Sequence, residues 1–600
     1  MKTLLVAINS QYIHMNLAVL YLKAACDKEL GEVITLDFSI NEPIKHIFSV
    51  IINEKPDIVA FSCYIWNIEY TIKLAEDIKK ANPEIMIIAG GPEVSFDNGG
   101  LLESNEFVDY IIAGDGEEKL PFLLKKIREG NKISNEEKKQ LRSFSVVSKL
   151  DTLRSPYQFI EKDSLKNKIA YVEASRGCPF HCSYCMSSVT DGVRSFPVEK
   201  VFDALKVLSD SGARIIKFVD RTFNCNEKKA LDIWNHIQKY KAKDIVFHFE
   251  VDPGLITQNM LDCLEKMPPG LVQLEAGIQS VHAETLEAVE RPGRIEKALM
   301  NIEKVISFNN IHLHVDLIAG LPYESYEKFS ESFNRVYKLG SHHFQLGFLK
   351  LLRGSALREK AELHGIKYSS YPPYEIIKNN YMDAGEFMML KDIAACLELF
   401  YNSGRFVTSL IVVNTASVVH SKGKNIGINI DKNIGLSLPD SFGFFEKLAM
   451  FMRRKGYLDR PIKAFNLYEI FYVFIKNRFP FLTDVITECL RFDYLRSMKN
   501  LTLPVFLKRN EDNKKARQEM LNIYCEEIEK VLPRLKNISL DRIWHQVFID
   551  DFDLPPETGY PQKAVIAFDF GDVSPVTGLA GAYCIIDFQL SSKKTKGTKN

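Results

Sequence analysis

Residues 176–185 read RGCPFHCSYC and place Cys178, Cys182 and Cys185 in one short loop. Iron–sulfur clusters in proteins are normally held by four cysteines, whereas the spacing C-x3-C-x2-C offers only three thiolates. A four-iron cluster at this loop would therefore keep one iron without a protein ligand, open to a substrate or a cofactor. The loop follows an apolar run over residues 169–174, which predicts a strand that ends where the cysteines begin.

A structural zinc site is the main alternative for these cysteines. Zinc sites usually combine two pairs of Cys or His ligands, but this loop holds only one C-x2-C pair. His181 adjoins Cys182 in the sequence, where its ring would point away from the thiolates. The other eight cysteines are scattered singly, which fits a reducing compartment and argues against disulfides. The spacing therefore favours the cluster.

The loop, with the aromatic Tyr184 before its third cysteine, resembles that of the radical S-adenosylmethionine (SAM) enzymes. The resemblance implies that SAM binds the open iron through its amino and carboxylate groups. It also implies that an electron from the cluster cleaves SAM to a 5′-deoxyadenosyl radical. A partial (β/α)6 barrel is the fold that this family implies, with the cysteine loop after its first strand.

Three later segments are similar to SAM-facing segments of the same family. Residues 218–224 read FVDRTFN, and Asp220 could bind the ammonium group of SAM or serve as a loop carboxylate. Residues 275–280 read EAGIQS and resemble E-x-G-I-Q-S, while residues 316–325 read DLIAGLPYES and resemble D-x-I-x-G-L-P-x-E-[ST]. The SAM-binding residues that the resemblance implies are Tyr184, Asp220, Glu275, Gln279, Asp316 and Gly320.

Length and composition predict an ordinary globular chain with about three domains. The 600 residues are too many for one core, and 46% of them are hydrophobic. Lys plus Arg and Asp plus Glu both number 77, so no overall basic field for nucleic acid exists. The apolar run at residues 4–8 is too short for a signal peptide, and no stretch of about 18 apolar residues could span a membrane. We therefore expect a cytoplasmic protein with no membrane partner.

The hydrophobic pattern predicts an α/β protein with three successive parts. Residues 1–130 alternate short strands with amphipathic helices, which predicts a doubly wound, flavodoxin-like parallel sheet, and residues 131–166 form a linker. Residues 167–355 hold six βα units, which match the barrel that the resemblance implies. Residues 370–590 predict a mostly helical C-terminal domain with a small β element, similar to an uncharacterised domain in a subset of the family. Residues 591–600 predict a disordered basic tail.

The N-terminal domain resembles the cobalamin-binding domain that is fused to one large class of radical SAM enzymes. Its resembling residues follow the third and fourth strands and open the last helix, and ligands of such sheets lie at the carboxyl ends of the strands. Small residues there would let a flat macrocycle approach the backbone. The cobalamin-binding residues that we expect are Ser62, Trp66, Gly90, Gly91, Gly114 and Glu117.

One motif of related cobalamin proteins is incomplete here. Proteins that ligate cobalt from below carry D-x-H-x-x-G after the first strand, but residues 12–17 read YIHMNL and keep only the histidine, His14. Without the carboxylate that would orient the ring, His14 is not expected to bind cobalt. Radical SAM cobalamin proteins usually lack this motif, so the departure agrees with the class. The alternative is a flavodoxin-like domain whose ligand site has decayed.

These features predict a radical SAM enzyme with a [4Fe-4S] cluster, SAM and cobalamin as cofactors. The class implies a transferase that methylates, or an enzyme that rearranges, an unactivated carbon of an unknown small-molecule or peptide substrate, with electrons from a flavodoxin or ferredoxin. No catalytic residue is identified. A tRNA methylthiotransferase is one alternative, but that family has three cysteines in its N-terminal domain, where this chain has only Cys26 and Cys63. A cobalamin or cluster sensor without turnover is the other.

Overall fold

The structure is a computed structural model that describes residues 1–96, 100, 105–291, 293–421, 440–498, 503–509 and 514–587. The chain forms two compact units. The first contains residues 1–313, 318–325 and 347–383, and the second contains residues 314–317, 326–346 and the described residues from 384 onward. No helix within the described ranges is long and apolar enough to cross a membrane. The predicted tail, residues 591–600, lies outside the described residues.

The first unit begins with a five-stranded parallel sheet. Its strands are β1 (Lys2–Asn9), β2 (Glu32–Ser39), β3 (Ile58–Ser62), β4 (Met86–Gly90) and β5 (Tyr110–Ile112). They lie in the order β2-β1-β3-β4-β5, with Ser62 paired to Gly90 at the carboxyl edge. The helices that accompany them are α1 (Leu17–Ala25), α2 (Ile44–Asn53), α3 (Ile68–Ala81), α4 (Pro92–Ser95) and α5 (Lys119–Arg128).

Alternation along β1 explains why helices cover both faces of this sheet. Leu4, Val6 and Ile8 pack into one apolar core, and Leu5 and Ala7 pack into the core on the opposite face. All five side chains are almost fully buried, as expected for a central strand of a doubly wound sheet. The predicted fold of this region is confirmed.

The segment 131–166, which we predicted to be a linker, contains regular structure. Helix α6 (Asn135–Arg142) begins at Ser134 with a capping box, in which Ser134 and Glu137 satisfy each other's backbone amides. The S-x-x-E signal for this helix stands in the sequence, but the surrounding charges obscured it. Two 3-10 turns follow, and Tyr157 and Leu150 in them are buried. The segment is therefore packed rather than extended.

A second sheet of six strands follows. Its strands are β6 (Ile169–Val172), β9 (Ile215–Phe218), β10 (Val246–Val251), β11 (Val272–Gln279), β12 (His312–Ala319) and β13 (His343–Phe348). They lie in the order β6-β9-β10-β11-β12-β13, and the pairs β6–β9, β9–β10 and β10–β11 are parallel. A short antiparallel hairpin, β7 (Ser175–Gly177) and β8 (Val193–Ser195), frames the cysteine loop.

Helices connect consecutive strands of this second sheet. They are α7 (Val198–Asp210), α8 (Glu227–Ile237), α9 (Gln258–Glu265), α10 (Ala283–Ala288), α11 (Ile295–Ser307) and α12 (Tyr326–Tyr337). The six βα units agree with the predicted pattern. In β11 and β12 burial alternates strictly, so every second side chain is only partly buried and faces the opposite side from the helix-packed core.

A short excursion, which the sequence did not predict, completes the first unit. It contains α13 (Ala356–Glu359) and a hairpin of β14 (Lys367–Tyr368) and β15 (Ile376–Lys378). Tyr374 donates a hydrogen bond to the buried Glu93 carboxylate at 2.8 Å. Arg353 donates to the same hydroxyl at 3.1 Å and so fixes the excursion on the N-terminal domain. The predicted C-terminal domain, residues 370–590, therefore starts with part of this hairpin, and its first helix begins at Ala384.

The second unit is mostly helical, as predicted. Its helices are α14 (Ala384–Cys396), α15 (Val407–Ser421), α16 (Ser441–Arg454), α17 (Ala464–Arg478), α18 (Thr483–Ser497), α19 (Lys514–Ile523), α20 (Cys525–Val531) and α21 (Leu540–Trp544). The fully buried Asp493 accepts the amides of Thr408 and Ser409, each at 2.9 Å, and so caps α15.

An antiparallel sheet completes this unit. It consists of β16 (Val547–Asp553), β17 (Lys563–Val573) and β18 (Ala580–Asp587), in that order. The small β element predicted for this region corresponds to β17 and β18. Residues 588–590, at the end of the predicted domain, lie outside the described residues. Strand β16 was not predicted, because its acidic residues interrupt the apolar pattern of a strand. The Asp550 side chain is buried, and its carboxylate accepts a hydrogen bond from Arg491 Nε at 2.6 Å.

Candidate functional site

The three cysteines lie in the loop between β7 and β8, at the carboxyl end of β6. Cys178 and Cys182 are buried and Cys185 is half-buried. Each sulfur has a polar neighbour. Arg291 donates to Cys182 and the Ser187 amide donates to Cys185, while the Thr222 hydroxyl, which donates to the Arg221 carbonyl, lies beside Cys178.

Backbone contacts hold the loop in place from both sides. Gly177 has φ of 92°, and a Cβ there would lie 2.3 Å from the Gly192 carbonyl oxygen, so only glycine suits this position. The Ser183 amide donates to the Val289 carbonyl at 2.9 Å, and the Ser183 carbonyl accepts from the Leu357 amide at 2.8 Å. The cysteines therefore stand on a loop with a fixed backbone.

Asp220, predicted either to bind SAM or to hold a loop, has its oxygens engaged by the chain. One oxygen accepts the Ala174 amide at 2.9 Å, and the other accepts the Ser175 hydroxyl. The side chain is almost fully buried. Burial raises the pKa of Asp220 to about 6, although the hydrogen bonds from Ser175 and Ala174 oppose the shift. This geometry favours the loop-holding role.

Glu275 projects from β11 into a group of charged side chains. His248 Nε2 lies 3.1 Å from its carboxylate, and Lys217 Nζ lies 3.3 Å from it. Lys217 also reaches Glu250, at 3.7 Å. The partners that a half-buried glutamate needs are therefore provided by neighbouring strands of the same sheet.

Gln279 ends the same strand in a strained conformation. Its φ is 70°, which is uncommon for a residue with a side chain. The amide folds back over Gly277, where a Cβ would lie only 2.2 Å from Gln279 Nε2. Its Oε1 atom is buried and lacks a hydrogen-bond partner among the described residues. An unsatisfied buried acceptor next to the cysteine loop is a candidate contact for a bound ligand.

The remaining predicted SAM residues lie on the next strand and the turn after it. The Asp316 carboxylate lies 2.8 Å from His314 Nε2. Gly320 has φ of 99°, and its carbonyl accepts a hydrogen bond from Asn379 Nδ2 at 3.0 Å. The positive φ favours glycine at this turn, and Gly320 itself is buried.

A cavity of about 710 Å³ lies between the N-terminal sheet and the cysteine loop. From the N-terminal domain it is lined by Ser62, Gly90 and Gly91, at the carboxyl edge of the sheet. From the other side it is lined by Gly177 and Met186, the residues directly before the first cysteine and after the third. The lining residues are thus the neighbours of Cys178 and Cys185 rather than the cysteines themselves.

The glycines predicted to admit a macrocycle fall into two groups. A Cβ on Gly90 would meet nothing closer than 3.6 Å, so this position leaves space toward the cavity. Gly91 and Gly114 have φ of 111° and 81°, and a Cβ on either would collide with neighbouring backbone. Glycine is therefore required at these two positions by the backbone of the turns and not by a ligand. The Ser62 hydroxyl, in contrast, is buried at the cavity without a partner among the described residues.

Trp66 lines the cavity as a fixed aromatic wall. Its indole nitrogen donates to the Ile8 carbonyl at 3.0 Å, and its ring stacks on Tyr64 with centroids 4.5 Å apart. The ring is still 41% exposed, so one face remains free for a ligand. A tryptophan held in this way can cover a flat apolar surface.

Glu117, the last predicted cobalamin residue, lines the cavity but pairs with Arg176. The Arg176 guanidinium lies 2.7 Å from Glu117, 3.0 Å from Glu173 and 3.4 Å from Asp115. Burial raises the pKa of Glu173, and the adjacent guanidinium opposes that shift. Arg176 precedes the first cysteine by two positions, so one largely buried cation joins the cysteine loop to the segment just before α5.

We expect Arg176→Met to lower the free energy of unfolding by about 3–5 kcal/mol, because it leaves Glu117 and Glu173 in a poorly hydrated site without their cation. Asp115 keeps its ion pair with Arg194 at 2.9 Å. Urea denaturation followed by circular dichroism measures this loss. Arg154→Met is the matched control, since Arg154 and its partner Asp27 are both more than half exposed. The control should change stability by less than about 1 kcal/mol. Equal effects of the two substitutions would contradict a special role for Arg176.

His14 also lines the cavity, but its ring is already bound. Nδ1 lies 2.6 Å from the Tyr171 hydroxyl, and burial, with a smaller effect of Lys217, lowers the pKa of His14. No carboxylate from the described part of the chain is seen to orient the ring. The sequence did not reveal Tyr171 as its partner, because the two residues are 157 positions apart.

The donor chemistry of these groups suits the cofactors that the sequence predicted. Three cysteine sulfurs in one loop, two of them with a hydrogen-bond donor, match the ligands of an iron–sulfur cluster. The free Ser62 hydroxyl, the open Gly90 position and the fixed Trp66 ring suit a large macrocycle with amide side chains. The sequence did not identify Arg291, Thr222 and Arg176 as residues of the site. Arg176 and Thr222 nevertheless stand inside the segments 176–185 and 218–224 that it singled out.

Comparison with known families identifies the two halves of this site. A model described as the B12 binding domain matches residues 3–124, and one described as the Radical SAM superfamily matches residues 172–336. The chain is a radical SAM protein with a B12-binding domain. A third family model, described as a protein of unknown function (DUF4080), matches residues 362–419 and 429–565. This match agrees with the uncharacterised C-terminal domain that we expected.

Curated relatives of this radical SAM protein are distant. The cobalamin-dependent radical SAM methyltransferase TokK of Streptomyces tokunonensis is 23% identical over 52% of the chain, which spans 50% of the length of TokK. An uncharacterized methyltransferase of Pyrococcus horikoshii is 24% identical over 54% of the chain and 75% of that protein. A tRNA-2-methylthio-N(6)-dimethylallyladenosine synthase of Paraburkholderia xenovorans is 23% identical over 44% of the chain and 58% of that enzyme.

Solved structures share the fold over longer stretches. OxsB, a cobalamin-dependent SAM radical enzyme solved with aqua-cobalamin and SAM, has a TM-score of 0.56 at 13% identity and covers 81% of this chain and 80% of its own. The methyltransferase TsrM of Kitasatospora setae, solved with tryptophan and a SAM analogue, has a TM-score of 0.51 at 16% identity. That match covers 62% of this chain and 79% of TsrM. These similarities establish the fold.

Proposed function

We propose that this protein is a cobalamin-dependent radical SAM methyltransferase that acts on an unactivated carbon of a small-molecule or peptide substrate. The observation that carries the proposal is the cavity of about 710 Å³. It is lined both by the strand ends of the B12-binding domain and by the two flanks of the cysteine loop. Two cofactors that act on the same carbon need such a shared space. The named activities of TokK and TsrM support methyl transfer over rearrangement.

In this proposal Cys178, Cys182 and Cys185 hold the cluster. When bound, the cluster supplies the electron that cleaves SAM and cobalamin supplies the methyl group. Asp220 fixes the start of the cysteine loop through Ala174 and Ser175. The residues proposed to contact SAM are Tyr184, Glu275, Gln279, Asp316 and Gly320.

The N-terminal domain binds cobalamin at the carboxyl edge of its sheet. Gly90 leaves room for the macrocycle, and Ser62 offers its unpaired hydroxyl to an amide side chain. Trp66 covers a flat face, since its indole nitrogen is already engaged by Ile8. Gly91 and Gly114 shape the turns that border the slot, and Glu117 holds Arg176 beneath it.

Residues 1–130 bind cobalamin, residues 131–166 connect, and residues 167–355 bind the cluster and SAM. Residues 370–590 form the C-terminal domain. An external flavodoxin or ferredoxin supplies electrons. A cytoplasmic location is supported by the eleven cysteines, all of which are free thiols.

A tRNA substrate is less well supported. The tRNA synthase relatives match at the same level of identity as the methyltransferases, but over a smaller share of the chain. The N-terminal domain offers only Cys26, at the end of α1, and Cys63, which is buried and donates weakly to the Phe61 carbonyl. Equal numbers of basic and acidic residues also provide no general attraction for RNA.

Anaerobic reconstitution of the full-length protein with iron, sulfide and hydroxocobalamin tests the function. We expect about one cobalamin to remain bound after gel filtration. SAM with a strong reductant should then yield 5′-deoxyadenosine. A sensor would retain cofactors without forming 5′-deoxyadenosine, and a decayed domain would retain no cobalamin. Either result would contradict the proposed methyltransferase.

A further inference from the structure

The three cysteine sulfurs differ in the polar group that lies beside each. Thr222 Oγ1 lies 3.3 Å from Cys178 Sγ, and the Ser187 amide donates to Cys185 Sγ at 3.4 Å. Cys182 Sγ is approached by the guanidinium of Arg291, with Nη1 at 3.9 Å. Of these three groups, the guanidinium alone carries a full charge.

Arg291 is held in this position by the surrounding backbone and side chains. Its Nη2 donates to the Gly277 carbonyl of β11 at 2.6 Å, and Nη1 lies 3.4 Å from the Tyr184 hydroxyl. The Asp252 carboxylate lies 3.9 Å from Nη2, beyond hydrogen-bond distance. Only 15% of the side chain is exposed. The charge is therefore poorly screened by water and fixed beside a cluster ligand.

We propose that Arg291 raises the reduction potential of the cluster bound at Cys178, Cys182 and Cys185. The inference rests on the proposed function, because it needs a cluster at these cysteines. One-electron reduction makes the cluster more negative, and a fixed cation beside a ligand sulfur stabilises the reduced form more than the oxidised form. Net charge, hydrogen bonds to sulfur and solvent exposure are the features by which proteins set cluster potentials.

The Asp252 carboxylate opposes this effect. It lies close enough to Arg291 to reduce the field of the guanidinium, but it forms no close ion pair that would cancel it. Its other oxygen accepts the Gly254 amide at 2.8 Å, a hydrogen bond that an asparagine side chain can also accept. Substitutions at the two positions should therefore shift the potential in opposite directions.

The test is a redox titration of the reconstituted full-length protein, in which titanium(III) citrate supplies the electron and electron paramagnetic resonance detects the reduced cluster. At the wild-type midpoint, Arg291→Gln should lower the ratio of reduced to oxidised cluster about tenfold, equivalent to about 59 mV for one electron. Arg291→Lys keeps the charge and should shift the ratio by much less. Asp252→Asn should raise the ratio.

Iron analysis separates failure of this inference from failure of the proposed function. A wild-type protein that binds no iron–sulfur cluster would refute both. If the wild type and Arg291→Gln carry equal iron but share one potential, only the inference is overturned. Equal shifts for Arg291→Lys and Arg291→Gln would also overturn it, because they would indicate a purely structural role. If Arg291→Gln fails to load iron, an unchanged or lower potential in Asp252→Asn decides against it.

Discussion

Replacing Cys182 with alanine should leave the reconstituted protein without its iron–sulfur cluster and reduce 5′-deoxyadenosine formation to background. The loop offers only three thiolates to a four-iron cluster, which leaves one iron without a protein ligand. With two thiolates, a second iron would also lose its ligand, and the cluster would not be held. The side chain is buried, and alanine introduces no steric conflict, so the loss reflects the missing sulfur. Iron and sulfide content, with the visible absorption spectrum, measures the result.

Cys525→Ala is the matched control for this substitution. Cys525 is a free, half-buried thiol at the first position of α20, far along the chain from the cysteine loop. Alanine suits a helix, so this variant should keep its iron and its 5′-deoxyadenosine formation. Full iron content in Cys182→Ala would contradict the assignment of the cluster. A tetrahedral zinc ion, with no iron, in wild-type protein purified anaerobically would do the same.

The cysteine loop and the alternation of strands and helices could be predicted because both are local patterns. The C-x3-C-x2-C spacing specifies its chemistry within ten residues. The strands β1 to β5 are short apolar runs separated by amphipathic helices, so their order in sequence also indicates a parallel sheet. The position of Gly90 beside Ser62 then follows from the parallel register at the carboxyl edge.

The charged partners of the site could not be predicted because they come from distant parts of the chain. Arg291 lies 109 positions from Cys182, in a short turn after α10 that resembles no motif. Arg176 stands in the motif itself, but its partner Glu117 belongs to another domain. Pairing of this kind depends on how two sheets are packed, and a single sequence does not reveal that packing.

The glycines show the same division between local and distant effects. The sequence assigned Gly90 and Gly91 one shared role, to open a slot for the macrocycle. The structure separates them, since Gly91 has φ of 111° and faces the Cys63 backbone, whereas a Cβ on Gly90 would meet its nearest atom at an ordinary contact distance of 3.6 Å. A positive φ can be suspected at any glycine, but the neighbour that a Cβ would meet is known only from the fold.

This difference makes Gly90 the sharper position at which to test cobalamin binding. We expect Gly90→Leu to weaken hydroxocobalamin binding at least tenfold, because its side chain would occupy the slot beside Ser62 that the macrocycle needs. The backbone should tolerate the change, since the nearest atom to a Cβ is the Ile112 carbonyl oxygen at 3.6 Å. Binding is measured by equilibrium dialysis of the full-length protein with hydroxocobalamin.

Two controls separate a filled slot from a damaged fold. Gly90→Ala adds only a methyl group at ordinary contact distance, so its affinity should lie between those of the wild type and Gly90→Leu. Gly293→Leu places the same large side chain where a Cβ meets nothing within 4 Å, on the radical SAM half, and should bind hydroxocobalamin normally. If Gly90→Leu folds as judged by circular dichroism and still binds with wild-type affinity, cobalamin does not occupy this edge of the sheet. The two-cofactor mechanism would then lose the cavity on which it rests.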